Sequence, residues 1–549
     1  YNSYGGSMSV RPLGSSPRTV LIPSAGTGSR LGSFTAEVNK GQMSVGDKPV
    51  ISYVIEKFKP TDKIIICVGY KGDLLKQVIK ACYPNWNIQF VEVDKFSGEG
   101  SGPGYSIIKA RDLIKEPFYF FCNDGIIDDD ISQIPTTSNT ILGYPCDTVS
   151  NPEAYRNLKV VDGKVVEVLP KGDPTPHAYP YIGIAYVKDW EDFFAAYDKN
   201  PELFTNAGEA VGLNNLKNSD FYLCPSWCDT GNVKDLEAAK KKFSKDGRAI
   251  LEKPDEAIWF FEDKVVKFHI DSNFIKDRVA RWKNVEERTN DAFVLPKLIA
   301  NSDNTYTYKY VDGKVMSEEK SLPLFKHLVR SYLEGIVPLN VSNETSAEGY
   351  KNFYYKKTMD RIQQYLVKFE DKDEDCLING MRCKSARDIL KSLDWDELSK
   401  DAIWSKNFHG DFQMENIINV DNYSFALIDF RQNFGSMKDI GDIYYDIGKL
   451  WHSFYINDHM IKDGHFSIDC VGENAYELDI HRSMVYTEFE NVLIHILREK
   501  NVNIEKAELI MCVVILSFAA LHTQSYSKFA FYTGKYLLNR WYKKYREVN

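Results

Sequence analysis

Between Arg18 and about Phe243 the chain alternates apolar stretches with helical ones: residues 20–23, 51–58, 64–69, 74–82 and 118–122 follow one another with polar turns between them. Strands separated by helical segments cannot pair as tight hairpins. The rhythm therefore dictates a mainly parallel α/β sheet covered by helices. In such a sheet ligands sit beyond the carboxyl ends of the strands, so the loops there are where chemistry is expected.

A chain of 549 residues exceeds what one hydrophobic core usually organises, so two or more domains are expected. The first is read as residues 18–243 and the polar, lysine-rich stretch 244–256, ending in Lys253-Pro254, as a linker. Residues 257–549 open with a hairpin pattern, 258–261 and 265–270 about the turn Glu262-Asp263-Lys264. Helical periodicity then dominates, broken by one strand-turn-strand island near residues 417–430. The apolar run 509–521 is shorter than the ~18–20 residues that span a bilayer, and reads as a buried helix, not a membrane insertion.

A formal charge of -9 and a pI near 5.7 exclude a general nucleic-acid surface, which needs a concentrated basic face. Ten cysteines without a CxxC pair read as reduced thiols of a cytoplasmic protein, and not as a disulfide or zinc framework. The opening residues 1–7 lack the charged and apolar regions of a signal peptide, and Met8 is read as the natural start.

Ser24-Ala25-Gly26-Thr27-Gly28-Ser29-Arg30 directly follows an apolar strand, so its backbone amides are free to wrap a triphosphate. Arg30 and Lys40 add the positive charge needed to neutralise a pyrophosphate leaving group. Gly46-Asp47-Lys48-Pro49 follows. This stretch resembles the sugar-phosphate and phosphocholine nucleotidyltransferase superfamily over roughly the first 240 residues. The resemblance implies a Rossmann-like nucleotidyltransferase sheet, with Ala25, Gly26, Thr27, Gly28 and Ser29 on the nucleotide. It also implies that Gly100, Ser101 and Gly102, within Gly98 to Gly104, lie against the base. Asp124 and Asp229, the latter in Trp227-Cys228-Asp229-Thr230-Gly231, match the family's magnesium carboxylates, and Lys171 matches its lysine for the acceptor's phosphate. One departure is Asn39 before Lys40, where the family commonly has proline.

Phe408-His409-Gly410-Asp411 with Asn416, followed by Leu427-Ile428-Asp429, is the most specific pattern in the chain. Phosphoryl transfer from ATP needs a carboxylate to orient the acceptor hydroxyl, which suits Asp411, and oxygen ligands for magnesium, which suits Asn416 and Asp429. His409 is read as a brace for the loop. The region resembles the aminoglycoside phosphotransferase and choline kinase family, which implies a bilobal protein-kinase-like α+β domain, with lobes at about 257–313 and 314–549. By that resemblance Lys267 binds the ATP phosphates with Glu286 or Glu287 as its helix partner, Tyr310 lies in the connector that meets the adenine, and Asp442 supports the catalytic loop. Arg431-Gln432 departs from the acidic pair common in choline kinases.

A kinase yields a phosphomonoester and a nucleotidyltransferase consumes one. The expected partners are ATP, a second nucleotide (CTP, UTP, GTP or dTTP), a small hydroxyl compound and its phosphomonoester, with magnesium or manganese as cofactor. The Gly98 to Gly104 loop inclines the reading toward a sugar or polyol, activated for surface glycan or lipid assembly. Two alternatives stand beside it. One is a choline or ethanolamine kinase joined to a CTP:phosphocholine-type cytidylyltransferase; the other is a single-activity enzyme with one half serving as a nucleotide-binding regulator.

Overall fold

The computed structural model describes residues 16–145, 152–172, 179–244, 253–286, 292–336, 346–480 and 482–547. Thr19–Ser24, rich in β-branched and apolar residues, lies buried between Lys63–Val68 and Phe118–Phe121 and runs parallel to both. Burial on both faces explains its uninterrupted apolar character. The sheet has nine strands, in the order Ile88–Glu92, Lys63–Val68, Thr19–Ser24, Phe118–Phe121, Tyr179–Val187, Asn139–Gly143, Ser219–Leu223, Lys164–Val168 and Asn157–Val161. The helix Gly72–Cys82 covers it with Leu75, Val78, Ile79 and Cys82, the spacing of a single apolar stripe.

The sheet is mixed, and not mainly parallel as the rhythm suggested. Tyr179–Val187 is antiparallel to Phe118–Phe121 and to Asn139–Gly143, and Lys164–Val168 is antiparallel to Asn157–Val161. Asn157–Val161 and Lys164–Val168 join through the turn Asp162-Gly163, and so short a connection reverses the chain.

The chain divides into two compact units: residues 16–244 with Lys253–Asp271 and Ala300–Thr307, and Ser272–Ile299 with residues 308–547. The expected hairpin forms as Glu256–Phe260 and Lys264–His269. Its packing places it in the first unit: Trp259, Val266 and Phe268 join the same buried cluster as Ile51, Val54 and Leu75. The Trp259 indole donates to Ser44 Oγ (2.9 Å), and Lys264 Nζ to the Cys82 carbonyl (2.6 Å). Of the expected linker, residues 245–252 lie outside the described residues.

The second unit is mainly helical. Ile443–His452, Ile504–Phe518 and Gln524–Tyr545 contribute to one large core, with Leu509 through Leu516 fully buried as the apolar run implied. The island near 417–430 forms the hairpin Ile417–Asn419 and Phe425–Leu427, flanked by Phe293–Val294 and Lys314–Val315. A further four-stranded sheet, built from Cys376–Ile378, Met381–Cys383, Phe466–Gly472 and Ala475–Ile480, was not legible; its strands are short or largely exposed and carry mixed polar residues.

Trp259→Ala is expected to cost about 3–5 kcal/mol of stability in urea unfolding, as for other fully buried aromatics. A loss under ~1 kcal/mol would show that the hairpin is not part of the first core.

Candidate active sites

The loop after Thr19–Ser24 turns at Gly28, whose φ of 62° only glycine adopts freely. A Cβ there would also stand 3.2 Å from Lys40 Cβ, so the loop and Lys40 are packed together. Asn39 fixes the lysine's backbone. Its buried amide donates to the Ser24 and Tyr70 carbonyls (2.8 and 2.9 Å), while its Oδ1 accepts the Gly41 N–H (2.8 Å). The residue that departed from the family pattern thus anchors this turn.

Asp124 follows the strand Phe118–Phe121, and the antiparallel pairing of Gly125 with Asp229 brings the second carboxylate beside it. Thr230 donates its N–H and hydroxyl to the Asp124 carbonyl (3.0 and 2.7 Å). Asp124 Oδ2, Asp229 Oδ1 and Arg30 Nη2 all lie within 3.2 Å of the point where a Cβ would stand at Gly231. Ala25, Gly26, Thr27, Arg30, Lys40, Ser101, Gly102, Asp124, Lys171 and Asp229 line one cavity of about 680 Å³. Gly28, Ser29 and Gly100 are not part of its wall. Gly102 and Gly104 have a packing reason of their own: a side chain would run into the backbone of Thr205 and Asn206 at the first and of Phe204 and Thr205 at the second.

The cavity's charges are mutually dependent. Burial alone would raise Asp124, but Lys40, 3.0 Å away, and Arg30 hold its carboxyl below the usual range. Burial likewise works against the Lys40 ammonium, and Asp124 more than restores it. Asp229 is raised by burial and by the negative Asp124, although Tyr155 and the Gly231 N–H donate to it (both 2.9 Å). Lys171 is lowered by burial and by Arg30 and Arg156. Arg156, Tyr155 and Glu209 also line the cavity and were not foreseen. No short motif marks them; Arg156 and Tyr155 precede the strand Asn157–Val161, and Glu209 begins a helix of six residues.

Among the described residues no group of three or more His, Cys, Asp or Glu stands ready to hold a metal. Magnesium fits such a two-carboxylate site, because it keeps water and takes substrate phosphate oxygens in its remaining positions.

In the second unit, Asn416 Nδ2 donates to Asp411 Oδ2 and to the Asp411 carbonyl (both 2.9 Å), and Lys449 Nζ lies 3.1 Å from Asp411 Oδ1. Burial would raise Asp411, but Lys449 and His409 hold it far below the usual carboxylate range. Ile428 N–H donates to the Asn416 carbonyl (3.1 Å), so the hairpin register sets Asp429 at the same end as Asn416. Asp429 takes a left-handed φ of 59° and lies 3.9 Å from Arg278. His409 is a brace: its Nδ1 accepts the Asp411 N–H (3.1 Å), its Nε2 donates to the Ile428 carbonyl (2.7 Å), and burial lowers its pKa to about 4.

The expected support from Asp442 is corrected. Asp446 accepts the His409 and Gly410 N–H groups (both 2.7 Å), whereas Asp442 caps the helix Ile443–His452 and accepts from Ile403 N and Tyr354 Oη (3.0 and 2.8 Å). Asp446 lies one helical turn further along, and only that turn reaches the loop. Lys267 pairs with Glu256 of the adjoining strand (3.4 Å); Glu286 ends a helix of the second unit and Glu287 lies outside the described residues. Tyr310 follows the strand Thr305–Lys309, in the connection to Lys314–Val315.

The first unit thus presents a nine-stranded α/β sheet with a cationic, carboxylate-bearing pocket beside Ser24 and Asp124. Residues 19–139 match the Nucleotidyl transferase family. The bifunctional protein GlmU of Methanococcus maripaludis is 28% identical over 153 residues, 28% of this chain and 35% of its own length. The low-salt glycan biosynthesis nucleotidyltransferase Agl11 of Haloferax volcanii is 25% identical over 40% of this chain and 64% of its own. The chain thus spans about a third of the length of the GlmU relative. Among solved structures, the CTP:phosphocholine cytidylyltransferase of Streptococcus pneumoniae aligns at a TM-score of 0.35 and 19% identity, over 41% of this chain and all of that one. No helix of the described residues is long and apolar enough to cross a membrane.

His409 should stay neutral in the folded protein, so its ring protons should not titrate between pH 8 and 5. Because its folded pKa lies below the unfolded value of about 6.5, the stability it contributes is complete above that pH and is lost as pH falls toward 4. Wild type should lose on the order of 3 kcal/mol more than His409→Gln across that window, measured by denaturation at each pH.

Proposed function

We propose that the chain performs two successive phosphorus transfers on one small molecule: ATP-dependent phosphorylation of a hydroxyl in the second unit, then nucleotidyl transfer to the resulting phosphomonoester in the first. The carrying observation is the convergence of Arg30, Lys40, Asp124, Asp229 and Lys171 on one cavity. Asp411, Asn416 and Lys449, joined by direct contacts, support the phosphorylation step.

In that step the acceptor hydroxyl oxygen forms a bond to the γ-phosphorus, the bond to the bridging β,γ-oxygen breaks, and ADP leaves. Asp411, kept ionised by Lys449, orients the hydroxyl and receives its proton. In the second step a phosphomonoester oxygen attacks the α-phosphorus of a nucleotide and pyrophosphate departs. Arg30 and Lys40 face the departing charge, and Lys171 and Arg156 hold the acceptor's phosphate. Asp124 and Asp229 in the first site, and Asn416 and Asp429 in the second, would hold magnesium, which when bound would supply charge to neutralise the phosphates. The Rossmann-like sheet suits nucleotide binding in the first unit, and in the second the kinase resemblance assigns Tyr310 to the adenine; Lys267, in the hairpin of the first unit, is given no part in the ATP site. The first-unit relative in glycan biosynthesis favours a nucleotide-activated sugar or polyol for glycan or lipid assembly, made in the cytoplasm.

Asp411→Asn should lower ADP formation by ~10²–10⁴-fold while leaving pyrophosphate release with a supplied phosphomonoester intact. Lys40→Ala or Asp124→Asn should do the reverse, by ~10²–10³-fold. Parallel loss of both products in a folded variant would refute two independent sites. Gly231→Ala, whose methyl would press on Asp124, Asp229 and Arg30, should raise the magnesium concentration at half-maximal pyrophosphate release; an unchanged requirement would remove the ion from that spot.

A further inference from the structure

Next to Asp411 the second unit gathers positive charge that its own carboxylates do not balance. The helical stretch Ala347–Lys351 passes through a π turn at Asn352–Lys356 into Lys357–Lys368, and π turns of this kind recur at functional sites. Lys357 and Arg361 follow at i and i+4, on one face, where like charges destabilise a helix. Lys357 Nζ lies 4.4 Å from the centre of the Phe353 ring, and the Arg431 guanidinium 5.2 Å from that same ring. Arg431 also lies 6.0 Å from the Tyr445 ring, as does Lys449, which reaches Asp411. The two rings pack edge to face at 4.9 Å. The cations and the carboxylate thus form one continuous group, Lys357 and Arg431 over Phe353, Arg431 and Lys449 over Tyr445, and Lys449 on Asp411.

Gly410 lets Arg431 into this position. A Cβ at Gly410 would stand 2.1 Å from Arg431 Cβ, so the arginine packs directly on the loop that carries Asp411. Arg431 is held by its Nε donating to the Asn433 carbonyl (3.1 Å). Among the described residues neither Lys357, Arg361 nor Arg431 forms an ion pair with a carboxylate. The charges that act on Lys357, namely Arg431, Arg361 and Lys449, are all positive, and after burial they lower its pKa to about 6. A fold that gathers Arg361, Arg431 and Lys449 around the Lys357 amine, with only Lys449 of the four paired to Asp411, is complementary to an anion, whose charge would favour the protonated Lys357.

We propose that Lys357, Arg361, Arg431 and Lys449 form a seat for a carboxylate, phosphate or phosphonate carried by the compound whose hydroxyl meets Asp411. The substrate class is then an anionic hydroxyl compound. A quaternary ammonium alcohol such as choline is disfavoured, since it would meet the like charges of Arg361, Arg431 and Lys449. This rests on the phosphotransfer reading of the second unit and narrows its acceptor.

The test uses the full chain with four probes of similar size: glycerate and glycerol 3-phosphate as anions, glycerol as the neutral compound, and choline as the cation. Binding is read from the shift of the thermal midpoint, and turnover from ADP release with ATP and magnesium. An anionic probe should bind best, and Lys357→Met with Arg361→Met should weaken it ~30-fold or more, the scale of removing a desolvated charge partner, while the Kd for ATP stays within about twofold. Lys357→Met alone should raise the thermal midpoint without ligand, because it removes a charge the folded state disfavours; a lowered midpoint would count against the seat. The proposal is overturned if choline or glycerol binds best, if neither anion binds, or if the double variant loses ATP and keeps the anion, which would give the cluster to the nucleotide's phosphates. Anion binding without ADP release from any probe would instead defeat the phosphotransfer reading and leave the anion seat in place.

Discussion

The Lys40 ammonium against the Asp124 carboxylate is the contact on which the first pocket rests. Burial acts against both charges, and each keeps the other ionised. Without the lysine, Asp124 and Asp229 would share one cavity as two partly desolvated like charges, and one would take up a proton. The sequence invests accordingly in where the lysine sits: Gly28 lies close against it, and Asn39 fixes its backbone through three hydrogen bonds. The second unit repeats the logic with Lys449 on Asp411, and there the surplus of charge is positive.

Motifs were readable where chemistry demands residues close together in the chain. Gly26 to Arg30, Asp411 with Asn416, and the bracing role of His409 all depend on local spacing, and local spacing is what a sequence displays. Arg156, Glu209, Lys357 and Lys449 reach their places only through tertiary packing, from the start of a strand or from helices whose charged residues look like ordinary solvated faces. Asp446 against Asp442 shows the limit of motif transfer. Both are buried aspartates of Gly441-Asp442-Ile443-Tyr444-Tyr445-Asp446, and one turn of helix decides which meets the loop.

At the level of fold, alternation of strand and helix revealed the parallel half of the large sheet and concealed the antiparallel half. The residues from 157 to 187 still look like strands, but their direction depends on connection length and not on their own composition. The hairpin of Glu256–Phe260 and Lys264–His269 was equally plain as a hairpin. What its pattern could not reveal is the surface it covers, since Trp259, Val266 and Phe268 would suit any apolar face of the right shape.

That hairpin bears on how the protein emerges from the ribosome. Domains usually fold in order of synthesis, as chain is delivered at about 5–20 residues per second. Here the first unit also draws on Lys253–Asp271 and Ala300–Thr307, so its core is incomplete when residue 244 has been made. The core that holds Ile51, Val54 and Leu75 therefore becomes complete only once that later piece of chain has been made.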